Sequence, residues 1–537
     1  MTKTLIAVGL LVLALAAPAV ARPRHHAAGK PATTARPAIA LSIDTSRPGA
    51  TIDRHIFGQF AEHLGHGIYD GIWVGTDSPV ANTRGIRNDV VAALKAIKVP
   101  DVRWPGGCFA DEYHWRRGIG PAAARPTSLN SNWGGVIEPN SFGTHEFMDF
   151  IDQIGSQAYV SGNVGSGSPD EMAQWLEYMT TDKPTALQKE RAANGHPAPF
   201  NVPLLGIGNE SWGCGGSMTA EYYVNELKRY ATYAKNFNPA EQGDNHMLKI
   251  ASGPSDGDEH WTDTVMAAWK DHIYSWDIDG LSLHSYSGFD HWPPSFSATG
   301  FDETAYGHVL KSTLRMEDFV TRHSAIMDKY DPDKKVALVV DEWGAWYTPS
   351  PGSNPGFLVQ QNSQRDAILA ALNLNIFARH ADRVRMANIA QMINVLQAMI
   401  LTDGPKMVLT PTYYTFRLYV PFQDATFIPV TYDAGTYSHG DITLPRLDAI
   451  AARDKDGKLW LSLTNLDPTR PLEVDASSLG FVARSATGQT LTSPGIDSVN
   501  DFDHPDTVAP RTFVATAKNG VLVLNLAPES VTVVELN

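Results

Sequence analysis

Cysteine is almost missing from this chain: 537 residues hold two, Cys108 and Cys214. That excludes a disulfide-rich scaffold. Basic residues are outnumbered, with 43 Lys and Arg against 58 Asp and Glu and a net charge of -15. A nucleic-acid surface needs basic clustering, so no nucleic-acid partner is expected. Long apolar runs are scarce too. Leu5 to Ala17 is too short to span a bilayer comfortably, and no later run reads as a membrane helix. No internal repeat, no Ca²⁺-loop pattern and no Gly-x-Gly-x-x-Gly after the first strand is found. The last absence weakens a doubly wound open sheet.

What is present is ordinary globular material, 43% hydrophobic and 19% charged, enough for a large core. At the N-terminus, Lys3, the Leu5–Ala17 run and Ala19-Val20-Ala21 have the layout of a signal peptide over 1–21. The expectation is an exported protein, periplasmic or extracellular, free of the membrane once cleaved. Residues 22–38, rich in Pro, Ala and Thr, read as a flexible leader, in which His25 and His26 are a solvated pair.

Eight short apolar or β-branched runs alternate with helical patterns between about Thr51 and Thr415. They are Ile56–Phe60, Asp101–Trp104, Gln157–Ser161, Pro203–Gly208, Leu248–Ser252, Gly280–His284, Val336–Val340 and Arg385–Ala390. Near-continuous apolar strands are what a parallel sheet covered on both faces requires. Helices are expected over Gly143–Ile154, Thr219–Asn236 and Gln364–Ala378. Eight strand–helix units predict a (β/α)8 TIM barrel over 53–415, an α/β fold. After Phe416 the helical period vanishes, and Leu459–Thr464, Val521–Leu526 and Ser530–Leu536 read as strands. A jelly-roll-like all-β sandwich is therefore expected over 416–537, joined by a strand in 39–52.

In a parallel barrel, catalytic groups sit at strand C-termini. Two glutamates stand where apolar strands stop: Glu210 after the fourth, in Gly208-Asn209-Glu210, and Glu342 after the seventh, in Val340-Asp341-Glu342-Trp343-Gly344. Glycosidic cleavage needs such a pair, one carboxyl to protonate the leaving oxygen and one to attack or activate water. Neighbouring tryptophans offer platforms for sugar C–H faces, and amides offer partners for hydroxyls. Two carboxylates need neither metal nor cofactor. Glu62-His63-Leu64-Gly65-His66 matches neither order of the zinc-protease helix motif, so no metal site is assigned.

The Asn-Glu after strand four and the Glu after strand seven resemble the clan A retaining glycoside hydrolases. Phe57-Gly58-Gln59-Phe60-Ala61-Glu62-His63-Leu64-Gly65 and Arg103-Trp104-Pro105-Gly106-Gly107-Cys108-Phe109 narrow this. With Ser282-Leu283-His284-Ser285-Tyr286 and Asn388-Ile389-Ala390-Gln391, they resemble the family 51 α-L-arabinofuranosidases along nearly the whole mature chain. The resemblance implies a retaining α-L-arabinofuranosidase acting on arabinose-containing glycans, and a homo-oligomer, often a hexamer. It implies Glu210 as acid/base and Glu342 as nucleophile. It places Glu62, Cys108, Asn209, Tyr286 and Gln391 against the furanose, Trp133 and Trp212 as aromatic walls, and Arg103 and His284 behind the carboxylates. It also implies a Cys108–Cys214 disulfide at the pocket rim; two unpaired thiols are the alternative. Another clan A activity, a β-xylosidase or endoglucanase, shares the glutamates, and a non-catalytic carbohydrate-binding protein is the rival from another class.

Overall fold

Eight parallel strands close into a barrel in chain order: β1 (Gly58–Phe60), β2 (Asp101–Trp104), β3 (Gln157–Gly162), β4 (Leu204–Ile207), β5 (Leu248–Ala251), β6 (Gly280–Ser287), β7 (Ala337–Ala345) and β8 (Val384–Ile389). The ladder between β8 and β1, with Asn388 beside Gly58, seals it. This computed structural model describes residues 38–274, 276–479 and 482–537; the expected signal peptide and the leader to residue 37 lie outside the described residues. The TIM barrel read from the apolar runs is what forms. Tyr159, Leu204, Ile250, Ala337, Val339 and Met386 fill the barrel interior, while the outer strand faces pack under the helices.

Local sequence explains the helices that brace the strands. Thr144–Ile154 starts where the Glu146 carboxylate accepts the Gly143 N–H at 2.9 Å. Ala220–Tyr233 starts at Thr219, whose hydroxyl accepts the Tyr222 N–H at 3.3 Å. Gln364–Arg379 is buried along nearly its whole length, so its polar residues need partners. Asn375 donates to Asp448 at 2.8 Å, Arg379 donates to the same carboxylate at 2.9 Å, and Gln364 donates to the Glu529 carbonyl at 2.6 Å. All three acceptors belong to the strand-rich C-terminal part.

That part is two sheets. One orders Val430–Tyr432, Ile39–Asp44, Leu472–Leu479 and Leu522–Leu526; the other has six strands, with Leu459–Asn465 and Ser530–Leu536 at its centre. Leu41, Ile43, Leu461, Leu463, Leu524 and Val534 form the core between them. The helix Pro411–Tyr419 runs through the point where the helical period fades in the sequence.

Two devices hold the loops at the strand C-termini together. Cys108 and Cys214 are bonded, with Cα atoms 5.5 Å apart, joining the loops that follow β2 and β4. Asp111, in the same short 3-10 helix as Cys108, accepts the backbone N–H groups of Val164, Gly165 and Asn209 at 2.8, 2.7 and 3.2 Å. It thereby fastens the loops after β2, β3 and β4. The bridge spans 106 residues, for which the chain-entropy estimate is about 4.7 kcal/mol before native-state effects. Thiol titration of the denatured, unreduced protein is expected to find no free thiol, and reduction to lower the denaturation midpoint. Two free thiols per chain would contradict the bridge.

Candidate active site

The backbone itself turns Glu210 into the barrel mouth. Gly208 has φ +85° and Glu210 has φ +39°, the left-handed region that glycine enters freely and glutamate rarely. Glu210 accepts from His284 Nδ1 at 3.0 Å, and the bridge sulfurs of Cys214 and Cys108 lie 3.5 and 4.0 Å from its other oxygen. On β7 the ladder to β8 loses register between Val340 and Trp343. A bulge of this kind re-aims side chains, and here it brings two successive carboxylates, Asp341 and Glu342, into the same buried network. Glu342 accepts from Arg103 Nη1 at 2.7 Å and from the Tyr286 hydroxyl at 2.8 Å. Carboxylate oxygens of Glu210 and Glu342 come within 4.8 Å of each other, with His284 Nδ1 beside both.

Two cations answer this concentration of acid. Arg103, 1% exposed, donates Nη2 to Asn209 Oδ1 at 2.6 Å and lies 3.6 Å from Asp341. Its guanidinium stacks 4.6 Å from the Phe60 ring centroid. Burial alone would lower the His284 imidazole, but Glu342, Asp341 and Glu210 outweigh it and bring it up to about 10. As an imidazolium it donates to Glu210 and faces Asp341 at 3.2 Å. Burial works to raise Asp341, and Arg103 and His284 hold it below the ordinary aspartate value. Burial pushes Glu210 above the ordinary glutamate value; the His284 hydrogen bond opposes this and the Glu342 charge adds to it.

Glu62 forms the floor. Its Oε1 accepts the N–H groups of Gly107 and Phe109, each at 3.0 Å, and Trp133 Nε1 at 2.9 Å; its Oε2 accepts Gln391 Nε2 at 2.9 Å. Burial, then the charge of Glu342, brings it up to about 7 against these donors. The cavity is walled by Trp133, Tyr286 and Trp346 with Leu64, Leu358 and Leu396. Its depth is graded: the Glu342 side chain is 7% exposed and that of Glu210 19%, so Glu210 stands nearer the mouth. A larger cavity opens among the starts of β3, β4 and β5, at the barrel end away from the paired glutamates.

Most residues picked from the sequence meet here. Glu62, Cys108, Trp133, Glu210, Tyr286, Glu342 and Gln391 line the cavity, and Arg103, His284 and Asn209 stand behind it. Asn209, expected to reach the sugar, gives its carbonyl oxygen to Arg103 and turns Nδ2 toward Cys214 Sγ at 3.7 Å. Trp212 needs correcting: it does not line the cavity, because its indole N–H finds its acceptor at Gly253 O, 3.2 Å away, on the loop after β5. Trp343 also points away, stacked 6.1 Å from Phe416 on the outer face of β7. The wall on that side is Trp346, which the sequence reading missed although it lies four residues after Glu342. Asp341 and the apolar Leu64, Leu358 and Leu396 were missed too.

Glu210, His284 and Glu342 present ligand-type atoms to one another, as do Cys108, Glu210 and Cys214. The sulfurs are bonded to each other, and an imidazolium offers protons instead of a lone pair. His63 uses Nδ1 on Glu138 at 3.0 Å and Nε2 on Trp104 at 3.1 Å, whereas His66 faces Asp70 at 3.3 Å.

Comparison with known proteins fits this geometry. Residues 341–530 match the α-L-arabinofuranosidase C-terminal domain family, and residues 93–293 match the α-L-arabinofuranosidase 1 domain. The chain is 45% identical over 505 residues to an intracellular exo-α-L-arabinofuranosidase of Bacteroides ovatus, covering 94% of this chain and 96% of the relative. It is similar to the glycoside hydrolase family 51 arabinofuranosidase structure from Xanthomonas axonopodis pv. citri, with TM-score 0.90 and 53% identity over 93% of this chain and 100% of that one. An arabinose complex of the Thermotoga maritima α-L-arabinofuranosidase aligns with TM-score 0.80 and 31% identity over 93% and 99%. The Bacteroides relative's name overturns the expected export to periplasm or medium. One lysine, a Leu/Ala/Val run and small residues match a signal peptide by composition alone, and they lie outside the described residues. Barrel, carboxylate pair and likeness along nearly the whole chain agree, and the protein belongs to the glycoside hydrolase family 51 α-L-arabinofuranosidases.

Proposed function

We propose that the protein removes terminal, non-reducing α-L-arabinofuranosyl residues from arabinose-containing polysaccharides or oligosaccharides, with retention, by double displacement. The observation that carries this reading is the spacing of the two glutamates. Retaining enzymes hold their carboxyls roughly 5–5.5 Å apart, too close for a water between them. Here oxygens of Glu210 and Glu342 approach within 4.8 Å.

The roles follow from the surroundings. Glu342, fixed by Arg103 and Tyr286, attacks the anomeric carbon. As the bond to the leaving oxygen breaks, Glu210 gives that oxygen its proton. Burial and the Glu342 charge favour the protonated acid before this step. Neutralising Glu342 as an ester removes one of those causes, so Glu210 then ionises more readily and is present as the carboxylate that serves as general base. It takes a proton from water, which attacks the same carbon and releases Glu342. Glu62 and Gln391 on the floor hold the sugar hydroxyls, and the pocket depth suits one terminal residue. The family resemblance carries a homo-oligomer, a hexamer, as part of this proposal, and sedimentation equilibrium reads that directly.

Glu342→Ala is expected to abolish turnover of every arabinofuranoside. Glu210→Ala is expected to cost about 10²–10⁴-fold on alkyl or glycosyl leaving groups and much less on dinitrophenyl ones, which need little protonation. Equal losses on both substrate types would remove Glu210 from the acid role.

The pH profile has a definite sign. The acid must be protonated, so kcat/KM falls on the alkaline side as pH rises through the raised Glu210 value. In Glu210→Gln, assayed with a dinitrophenyl arabinofuranoside, that alkaline limb is expected to disappear. A limb of unchanged position would assign it to another group.

Stereochemistry tests the whole reading. A proton NMR time course on an aryl α-L-arabinofuranoside is expected to show α-L-arabinofuranose first. First appearance of the β-anomer would falsify double displacement, and turnover of β-xylosides or cellulosic substrates in place of arabinofuranosides would reject the sugar assigned.

A further inference from the structure

Asp341 precedes Glu342 in the chain and does not line the pocket. Its side chain is 3% exposed. Keeping a carboxylate ionised in such a place is costly, so its partners show what it is for. The register between β6 and β7 explains how it arrives there. Ser282 pairs with Val339 and His284 with Glu342, so two steps along β6 match three along β7. The extra residue lets Asp341 and Glu342 both face His284, at 3.2 and 3.5 Å.

The two oxygens of Asp341 have separate partners. Oδ2 accepts the Tyr159 hydroxyl at 2.7 Å and lies 3.6 Å from Arg103 Nε. Oδ1 faces His284 Nε2, and among the described residues no hydrogen bond competes for it. The other ring nitrogen, Nδ1, is 3.0 Å from Glu210 Oε1 and 3.5 Å from Glu342 Oε2. The imidazole thus stands between Asp341 on one side and both reacting carboxyls on the other. A neutral ring has one N–H and would turn a lone pair on a carboxylate at one end; an imidazolium has a proton for each.

The charges around the ring change during the reaction. In the free enzyme Glu342, Asp341 and Glu210 together hold the ring protonated against burial. The other ionisable groups packed around this network are Arg103 and Asp101 on β2, Tyr159 on β3, Tyr286 on β6 and Glu62 on the floor, and of these Arg103 alone is cationic. Once Glu342 is an ester it has no charge, and Asp341 is the fixed anion left against the ring. From the double-displacement reading, on which this step rests, we infer that Asp341 is a positioning residue for the second half of the reaction. Through His284 it keeps the proton between Nδ1 and Glu210 Oε1 on the imidazole, so Glu210 stands free as a carboxylate. In that half, the water proton goes to Glu210 and the water oxygen bonds to the anomeric carbon. The electron pair of the broken ester bond returns to Glu342, and His284 keeps both its protons.

2,4-Dinitrophenyl α-L-arabinofuranoside separates the halves, because its leaving group needs little protonation. Its kcat/KM reads the first half, and kcat reads the second wherever a dinitrophenol burst precedes the steady state. In Asp341→Asn a burst is expected, with the acid limb of kcat moved up by about 1–3 pH units and kcat/KM falling far less. The sign follows from the base: it must be ionised, and without an imidazolium beside it Glu210 ionises only at higher pH. His284→Gln offers Glu210 an uncharged N–H and is expected to move the same limb. Adding Asp341→Asn to it is expected to move the limb no further. The wild type gives an independent reading. With ¹⁵N-labelled histidine at about pH 8, where an ordinary histidine is neutral, the signals lost in His284→Gln are expected to show both ring nitrogens protonated. An unmoved limb, equal losses in kcat and kcat/KM, or a neutral His284 ring in the wild type overturns the role of Asp341 and leaves double displacement standing. Turnover by the wild type with inversion overturns double displacement, and the role of Asp341 with it.

Discussion

Arg103 is a guanidinium sealed inside the barrel, with Glu342 at 2.7 Å, Asn209 at 2.6 Å and Asp341 at 3.6 Å. Three carboxyl groups interact with it, those of Glu210, Asp341 and Glu342, and the second cation is His284. Two charges 4 Å apart interact by about 4 kcal/mol at an effective dielectric near 20, which exceeds the whole worth of a typical surface ion pair. Removing one member of such a buried pair costs about 3–5 kcal/mol, because the other is left uncompensated. Arg103 is committed to Glu342 and Asp341, whereas Glu210, nearer the mouth, is raised by burial. The division of labour between two chemically identical side chains therefore begins with one arginine on β2.

The backbone makes that division possible. A regular β7 would send Asp341 and Glu342 to opposite faces; the register break after Val340 lets both reach the Arg103–His284 network and sends Trp343 outward to Phe416. The left-handed turn at Glu210 aims its carboxyl at His284, and the loop is kept in place by the Asp111 carboxylate and the Cys108–Cys214 bridge. Both of these irregularities fall at the strand C-termini, where the site is. The strain sits where the chemistry is.

The barrel was legible because its cause is local. A strand covered on both faces must be apolar throughout, so Leu204–Ile207 and Ala337–Val340 announce themselves in the sequence. The glutamates were legible because each interrupts such a run. What periodicity does not carry is the direction of a side chain in a loop. Trp212 lies two residues after Glu210 and still turns to Gly253, while Trp346, four residues after its glutamate, becomes the wall. Asp341 was passed over because alternation assigns it the face opposite Glu342, and only the bulge reverses that. Export failed for a related reason: composition near the N-terminus resembles a signal, but composition is not an address.

The central claim is that Glu342 becomes covalently bonded to the sugar. In Glu210→Ala the second displacement is slowed, because no carboxylate is left to draw the proton from water, while a dinitrophenyl leaving group still departs. The protein mixed with 2,4-dinitrophenyl α-L-arabinofuranoside, quenched in acid and digested, can be read by peptide mass spectrometry. The account predicts one pentosyl unit esterified to Glu342. A pentosyl unit on Glu62, or dinitrophenol release with no adduct at all, would contradict it.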